Sequence, residues 1–193
     1  MKLRMLNGTH STMAYLGYLS GYEFIAQVIA DADFARLVRN EMIEEIAPTL
    51  GMPKAQTDAY AAQLVERYSN TAMKHRTYQI AMDGSQKLPQ RLLGTVMDRL
   101  KAGAPFERLA LGIAAWMIYA RGVDLNGRPI VVQDPMAAEF AAIDPAGLVE
   151  GYLRLERIFP RELAGNAVFR DAVSTKMALI REVGAKDAVR RTA

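Results

Sequence analysis

Between Phe106 and Ala120 the chain is apolar around nearly the whole circumference of a helix: Leu109, Leu111, Ile113, Trp116, Met117 and Ile118 point in all directions. A helix with no polar face has to be surrounded by others, so this segment is expected at the centre of a helical core. The first helix, Lys2 to about Leu19, has the same character, because Met13, Ala14, Tyr15, Leu16 and Leu19 spread round its axis. Around these two, spacings of i, i+3 and i+4 predict further helices. One starts at Asp31 or Asp33 and passes Phe34, Leu37, Val38, Met42, Ile43 and Ile46. Others cover Lys54 to Tyr68, Thr71 to Met82, Ser85 to about Leu100, and Asn166 to Val183. Asp134-Pro135 and Asp144-Pro145 read as a capping residue followed by a first-turn proline. The run Ile130-Val131-Val132 is the best strand candidate, and it has no obvious partner. No βαβ alternation and no Gly-rich phosphate loop occurs, so the chain is expected to have no dinucleotide-binding fold of its own. The expected fold class is all-α, a multi-helix orthogonal bundle forming a single domain over residues 1–193.

Composition excludes several functions. The net charge of +3 is mild, and basic residues mostly stand beside acidic ones, which argues against nucleic acid. With no cysteine and only two histidines, His10 and His75, thiol catalysis and a Cys- or His-rich metal site are not expected. No apolar run reaches membrane-spanning length. The N-terminal run is interrupted by Asn7 and His10, unlike a signal peptide. These features fit a cytoplasmic protein.

The first helix carries polar groups at one end: Lys2, Asn7 and His10. At roughly 100° per residue Lys2, His10 and Asn7 project at about 0°, 80° and 140°, one side of a two-turn surface. A desolvated amine can act as a base near neutral pH. An amide N–H can stabilise a developing alkoxide, and a histidine can orient a second hydroxyl. Oxidation of a secondary alcohol by hydride removal needs this set plus a hydride acceptor. Residue chemistry leaves a second reading open, an exposed lysine at a fraying terminus with a satisfied histidine.

A second concentration runs from Lys74-His75-Arg76 through Asp83-Gly84-Ser85-Gln86-Lys87 to Gln90-Arg91. Basic groups flanking a helical junction suit an anionic or polyhydroxylated ligand, and they equally suit a solvated junction. Asp83-Gly84-Ser85 is explained by turn and capping geometry alone. Asp134 can line a pocket or simply start a helix.

The pattern Lys-x-x-x-x-Asn-x-x-His, with Lys2-Leu3-Arg4-Met5-Leu6-Asn7-Gly8-Thr9-His10-Ser11, Ala14-Tyr15-Leu16-Gly17-Tyr18 and Asp83-Gly84-Ser85-Gln86-Lys87 around it, resembles the polyol-specific long-chain dehydrogenases, which include mannitol 2-dehydrogenase and fructuronate reductase. The resemblance covers essentially the whole chain and corresponds to the mostly helical C-terminal domain of that family.

The resemblance implies that Lys2 is the general base, that Asn7 helps hold the oxyanion and that His10 binds a neighbouring substrate hydroxyl. It implies that Lys87 contacts the substrate further along, and that the reaction is NAD-dependent and uses no metal. In mannitol dehydrogenases an arginine stands eight residues before the equivalent of Lys87. Here that residue is Gln79, with Arg76 about one turn earlier. This leaves room for a sugar acid whose carboxylate pairs with Arg76 or Lys87. NAD is expected to be bound mainly by an N-terminal Rossmann domain absent from this chain, so the isolated chain is expected to be inactive and open to self-association. The alternative is a non-catalytic helical interaction or dimerisation module derived from the same family.

Overall fold

The computed structural model describes residues 1–193 and contains helices, two isolated β-bridges and no sheet. In chain order the α-helices are α1 (Thr9–Leu19), α2 (Ile25–Ala30), α3 (Ala32–Asn40), α4 (Lys54–Tyr68), α5 (Thr77–Ala81), α6 (Gly84–Leu88), α7 (Gly94–Lys101), α8 (Glu107–Ala120), α9 (Ala137–Ala141), α10 (Leu148–Leu153), α11 (Arg161–Ala164) and α12 (Ala167–Thr192). Three π-helical segments, Leu3–Gly8, Glu41–Ile46 and Pro89–Leu93, adjoin α1, α3 and α6. The all-α class expected from the sequence is the class observed. Residues 130–132 form no strand. Ile130 N–H donates to the Gly122 carbonyl (2.8 Å), beside an isolated bridge between Val123 and Pro129.

Helix α8 is the central element. All of its residues from Leu109 to Ala120 are buried, chiefly between α12 and α1. Trp116 is enclosed by Phe140, Tyr152 and Phe159, with ring centroids 5.5, 5.0 and 6.1 Å away. Buried hydrophobic side chains from α1 to α12 form one continuous core. At about 25 cal/mol per Å² of apolar surface removed from water, such a core supplies the main favourable term in folding. No helix is long and apolar enough to cross a membrane.

Local signals explain several ends. Asp31 Oδ1 accepts from Asp33 N–H at the start of α3, and Asn166 Oδ1 accepts from Phe169 N–H at the start of α12. Helix α4 follows Pro53 and ends at Ser69. Other expected helices are altered. The expected helix Thr71 to Met82 shrinks to α5, because Arg76 pairs as extended backbone with Phe24: Ile25 N–H donates to His75 O and Thr77 N–H to Glu23 O, each at 2.9 Å. The C-terminal helix is interrupted at Gly184 (φ 82°, ψ 162°) as expected, and helix then resumes to Thr192.

Candidate active site

The polar end of the first helix is π-helical from Leu3 to Gly8 and becomes α-helical at Thr9. A π turn pairs residues five apart, which is the separation of Lys2 and Asn7. The wider turn brings them closer in projection than the roughly 140° of an α-helix. Side chains take up carbonyls in this segment. The Thr9 hydroxyl donates to Met5 O (2.6 Å), and the Tyr68 hydroxyl donates to Leu6 O (2.8 Å) and lies 2.9 Å from Thr9 Oγ1. Arg4 pins the same segment from the other side, pairing with Asp98 (2.5 Å) and donating to Thr49 Oγ1 (2.9 Å).

The segment lies against the second π segment, Pro89–Leu93. Gly8 makes this approach possible: a Cβ there would stand 2.9 Å from the carbonyl oxygen of Arg91. Two irregular helical turns therefore meet backbone to backbone. The first carries Lys2 and Asn7, with His10 just beyond it. The second continues α6, which carries Lys87.

His10 sits in a strongly perturbing environment. Its ring lies 4.7 Å from that of Tyr68 and 5.8 Å, edge-on, from that of His75. Burial, then the positive influence of His75, Arg91 and Arg67, lowers its pKa to about 4. The imidazole is thus neutral at physiological pH, and its Nε2 is buried without a hydrogen-bond partner. An unsatisfied buried nitrogen costs about 1–3 kcal/mol, a cost that a ligand hydroxyl would relieve.

Lys87 is half-buried, and its ammonium donates to Met82 O (2.5 Å) and Ile80 O (3.4 Å). Burial and the Arg91 charge lower its pKa, while Asp83 and Asp134 oppose the shift. The turn before it is built closely. Asp83 is left-handed (φ 54°), and a Cβ on Gly84 would meet Trp116 Nε1 at 2.2 Å and the Tyr15 hydroxyl at 2.8 Å. Asp134-Pro135 is not the helix start expected from the sequence: it lies in a turn, and α9 begins only at Ala137 after Met136. One carboxylate oxygen accepts from Met136 N–H (2.9 Å) and the other from Ser85 N–H (2.8 Å), which ties the 130–134 loop to the first turn of α6.

The other expected residues fall as follows. Asn7 is half-buried. Lys2 is exposed at the start of the π segment. Arg76 is exposed. Its guanidinium is 3.6 Å from Glu23 Oε1 and lies over the Phe24 ring at 5.8 Å, and it is not among the charges that shape the Lys87 amine.

His75 and Arg91, both inside the basic stretch that the sequence marks, have no role assigned by the resemblance, yet the structure sets the His75 ring against His10 and the Arg91 guanidinium on Ser11. His75 was one of only two histidines and lay within the basic stretch. Arg91, one α-helical turn after Lys87, donates to Ser11 Oγ at 3.1 Å. A groove of about 530 Å³ lies elsewhere, between Ala142 and Arg154. No group of three or more His, Cys, Asp or Glu side chains is placed to hold a metal ion.

Residues 1–181 match the family model described as the mannitol dehydrogenase C-terminal domain. The chain is 49% identical over 194 residues to D-mannonate oxidoreductase of Escherichia coli (strain K12), covering 98% of this chain and 40% of that protein. It is 41% identical over 143 residues to mannitol 2-dehydrogenase of Phaeosphaeria nodorum, covering 74% and 25%. Its structure is similar to that of Pseudomonas fluorescens mannitol 2-dehydrogenase in a ternary complex with NAD and D-mannitol, with TM-score 0.90, 30% identity, and coverage of 99% of this chain and 39% of that one. The chain thus spans about two fifths or less of the length of these relatives. It belongs to the mannitol dehydrogenase family and corresponds to the C-terminal domain of that family.

Proposed function

We propose that this chain is the substrate-binding and catalytic domain of a metal-independent, NAD-dependent dehydrogenase that interconverts a polyol or sugar acid with its keto sugar. The observation that carries this reading is the neutral His10, whose buried Nε2 has no partner within the protein, beside the cations Lys87 and Arg91. A polyhydroxylated ligand supplies the missing hydrogen bond and takes donors from the cations. Relatives named for mannitol and mannonate oxidation agree with this chemistry.

In this reading Lys2 removes the proton from the reacting hydroxyl, and Asn7 donates to the oxygen as negative charge grows on it. His10 hydrogen-bonds an adjacent hydroxyl and fixes which carbon faces the base. Lys87 holds the chain of the substrate further from the reacting carbon. NAD, bound mainly by a Rossmann domain outside this chain, accepts the hydride when present. A cytoplasmic location accords with the absence of cysteine.

The test is to join the chain in frame to about 250–300 residues of upstream Gly-x-Gly-bearing α/β sequence and to follow NADH formation with a panel of polyols and aldonates. The two-domain protein is expected to oxidise at least one of them, and residues 1–193 alone none. Tight NADH binding by the isolated chain, or failure of the complete protein with the whole panel, overturns the proposal.

A further inference from the structure

We propose that Arg91 is the specificity-determining residue of this site, pairing with a carboxylate carried by the substrate. The inference rests on the reading above that the cluster binds a polyol or aldonate, and it selects the acidic class of ligand.

Three cations are candidates for such a pairing, and their surroundings separate them. Arg76 is exposed and already faces Glu23 Oε1 at 3.6 Å. Lys87 has two backbone carbonyls as acceptors and feels both Asp83 and Asp134. Arg91 has no acid. It takes part in none of the ion pairs of the chain, and the one group that favours its charge is the Tyr15 phenol. Burial pushes its pKa down.

A guanidinium has five N–H donors in a planar fork. One nitrogen of Arg91 donates to Ser11 Oγ, and none of its nitrogens is sealed in the interior without a partner. The remaining donors are therefore open to an incoming group. Their position is set on both sides. The Arg91 backbone is fixed by the close approach of Gly8, and its head is anchored on α1 one residue after His10. A substrate whose hydroxyl meets His10 Nε2 thus lies next to a half-desolvated, uncompensated guanidinium. A carboxylate satisfies that fork with two parallel, charge-assisted hydrogen bonds, and a neutral hydroxymethyl group cannot.

D-Mannonate and D-mannitol make a matched pair of probes, since they differ only at the terminal carboxylate. With only two histidines in the chain, the His10 and His75 imidazole resonances can be followed separately as each compound is added to residues 1–193. Mannonate is expected to shift His10 at lower concentration than mannitol. Arg91→Gln should cut the mannonate preference by about ten- to a hundred-fold, the range for a charged hydrogen bond, because it weakens mannonate binding far more than mannitol binding. Arg91→Lys should keep part of the preference, and it carries the test if Arg91→Gln fails to fold. Equal binding of the two compounds, or equal weakening of both in the Arg91 variants as for a purely structural strut, overturns the inference and leaves the polyol reading intact. If neither compound shifts His10, the reading of the site fails and the inference fails with it.

Discussion

Gly8 and Arg91 meet so closely that a Cβ on the glycine would lie 2.9 Å from the Arg91 carbonyl oxygen. This contact joins the segment bearing Lys2 and Asn7 to the one that follows Lys87. Gly8→Ala has to push the two π segments apart. Thermal or urea unfolding should show a loss of about 1–3 kcal/mol, the usual cost of overpacking. The two-domain enzyme should also lose turnover through misplacement of Asn7. An unchanged midpoint and an unchanged rate would mean that the contact is dispensable.

His10 should titrate near pH 4 rather than near 6.5. Because the folded-state value is depressed, the unfolded chain binds the proton first as pH falls from about 6.5 to 4. Stability is therefore lost through that window, by up to about 3 kcal/mol. An imidazole resonance moving with a midpoint near 4 supports the desolvated neutral ring. A midpoint near 6.5 contradicts it.

Glu41 gives the opposite slope. It is fully buried in the Glu41–Ile46 π segment, and its Oε1 accepts from the Thr12 hydroxyl at 2.9 Å. Burial and then Glu45 raise its pKa from 4.5 to about 8. The folded protein keeps this proton where the unfolded chain has lost it, so stability falls as pH rises from about 4.5 to 8. The effect is on the order of a few kcal/mol. Glu41→Gln keeps the Thr12 hydrogen bond and should stabilise the protein most above pH 8. Unfolding curves for the two proteins that stay parallel from pH 5 to 9 would count against a raised pKa.

Asp134 ties two segments together, accepting from Ser85 N–H in the first turn of α6 and from Met136 N–H in the turn before α9. Asp134→Ala should cost about 1–2 kcal/mol, as for lost capping. It should also loosen the helix that carries Lys87, raising KM for the substrate more than it lowers kcat. A drop in kcat at constant KM would give Asp134 a different role.

Much of the fold was legible because burial imposes period. Helix α8 shows it most plainly, as the apolar run from Leu109 to Ile118 has no polar side to expose and the structure buries it all round. The segment Lys54–Tyr68 has its expected bounds because Pro53 and Ser69 punctuate it locally. The shortening of Thr71 to Met82 was not legible, because the extended pairing of Arg76 with Phe24 involves residues 52 apart. The π segments were hidden for a related reason. A 3.6-residue hydrophobic period does not mark an i→i+5 turn, and what sustains the turn at Leu3–Gly8 is Tyr68 and Thr9 on its carbonyls and the reach of its own Arg4 to Thr49 and Asp98. In the site, the residue types of Lys2, Asn7, His10 and Lys87 suggested their chemistry. The pairing of Arg76 with Glu23 and the lack of any acid beside Arg91 emerge only once distant turns are packed.

Lys2 is the proposed base on which the reaction depends. The most direct measurement is kcat of the two-domain enzyme and its Lys2→Ala variant, on the best polyol or aldonate and across pH. Loss of a positioned general base should lower kcat by roughly 10²–10⁴-fold. The ionisation that limits the wild-type rate on the acid side should vanish, while KM changes little. Near-normal turnover with an unaltered pH profile would remove Lys2 from the mechanism.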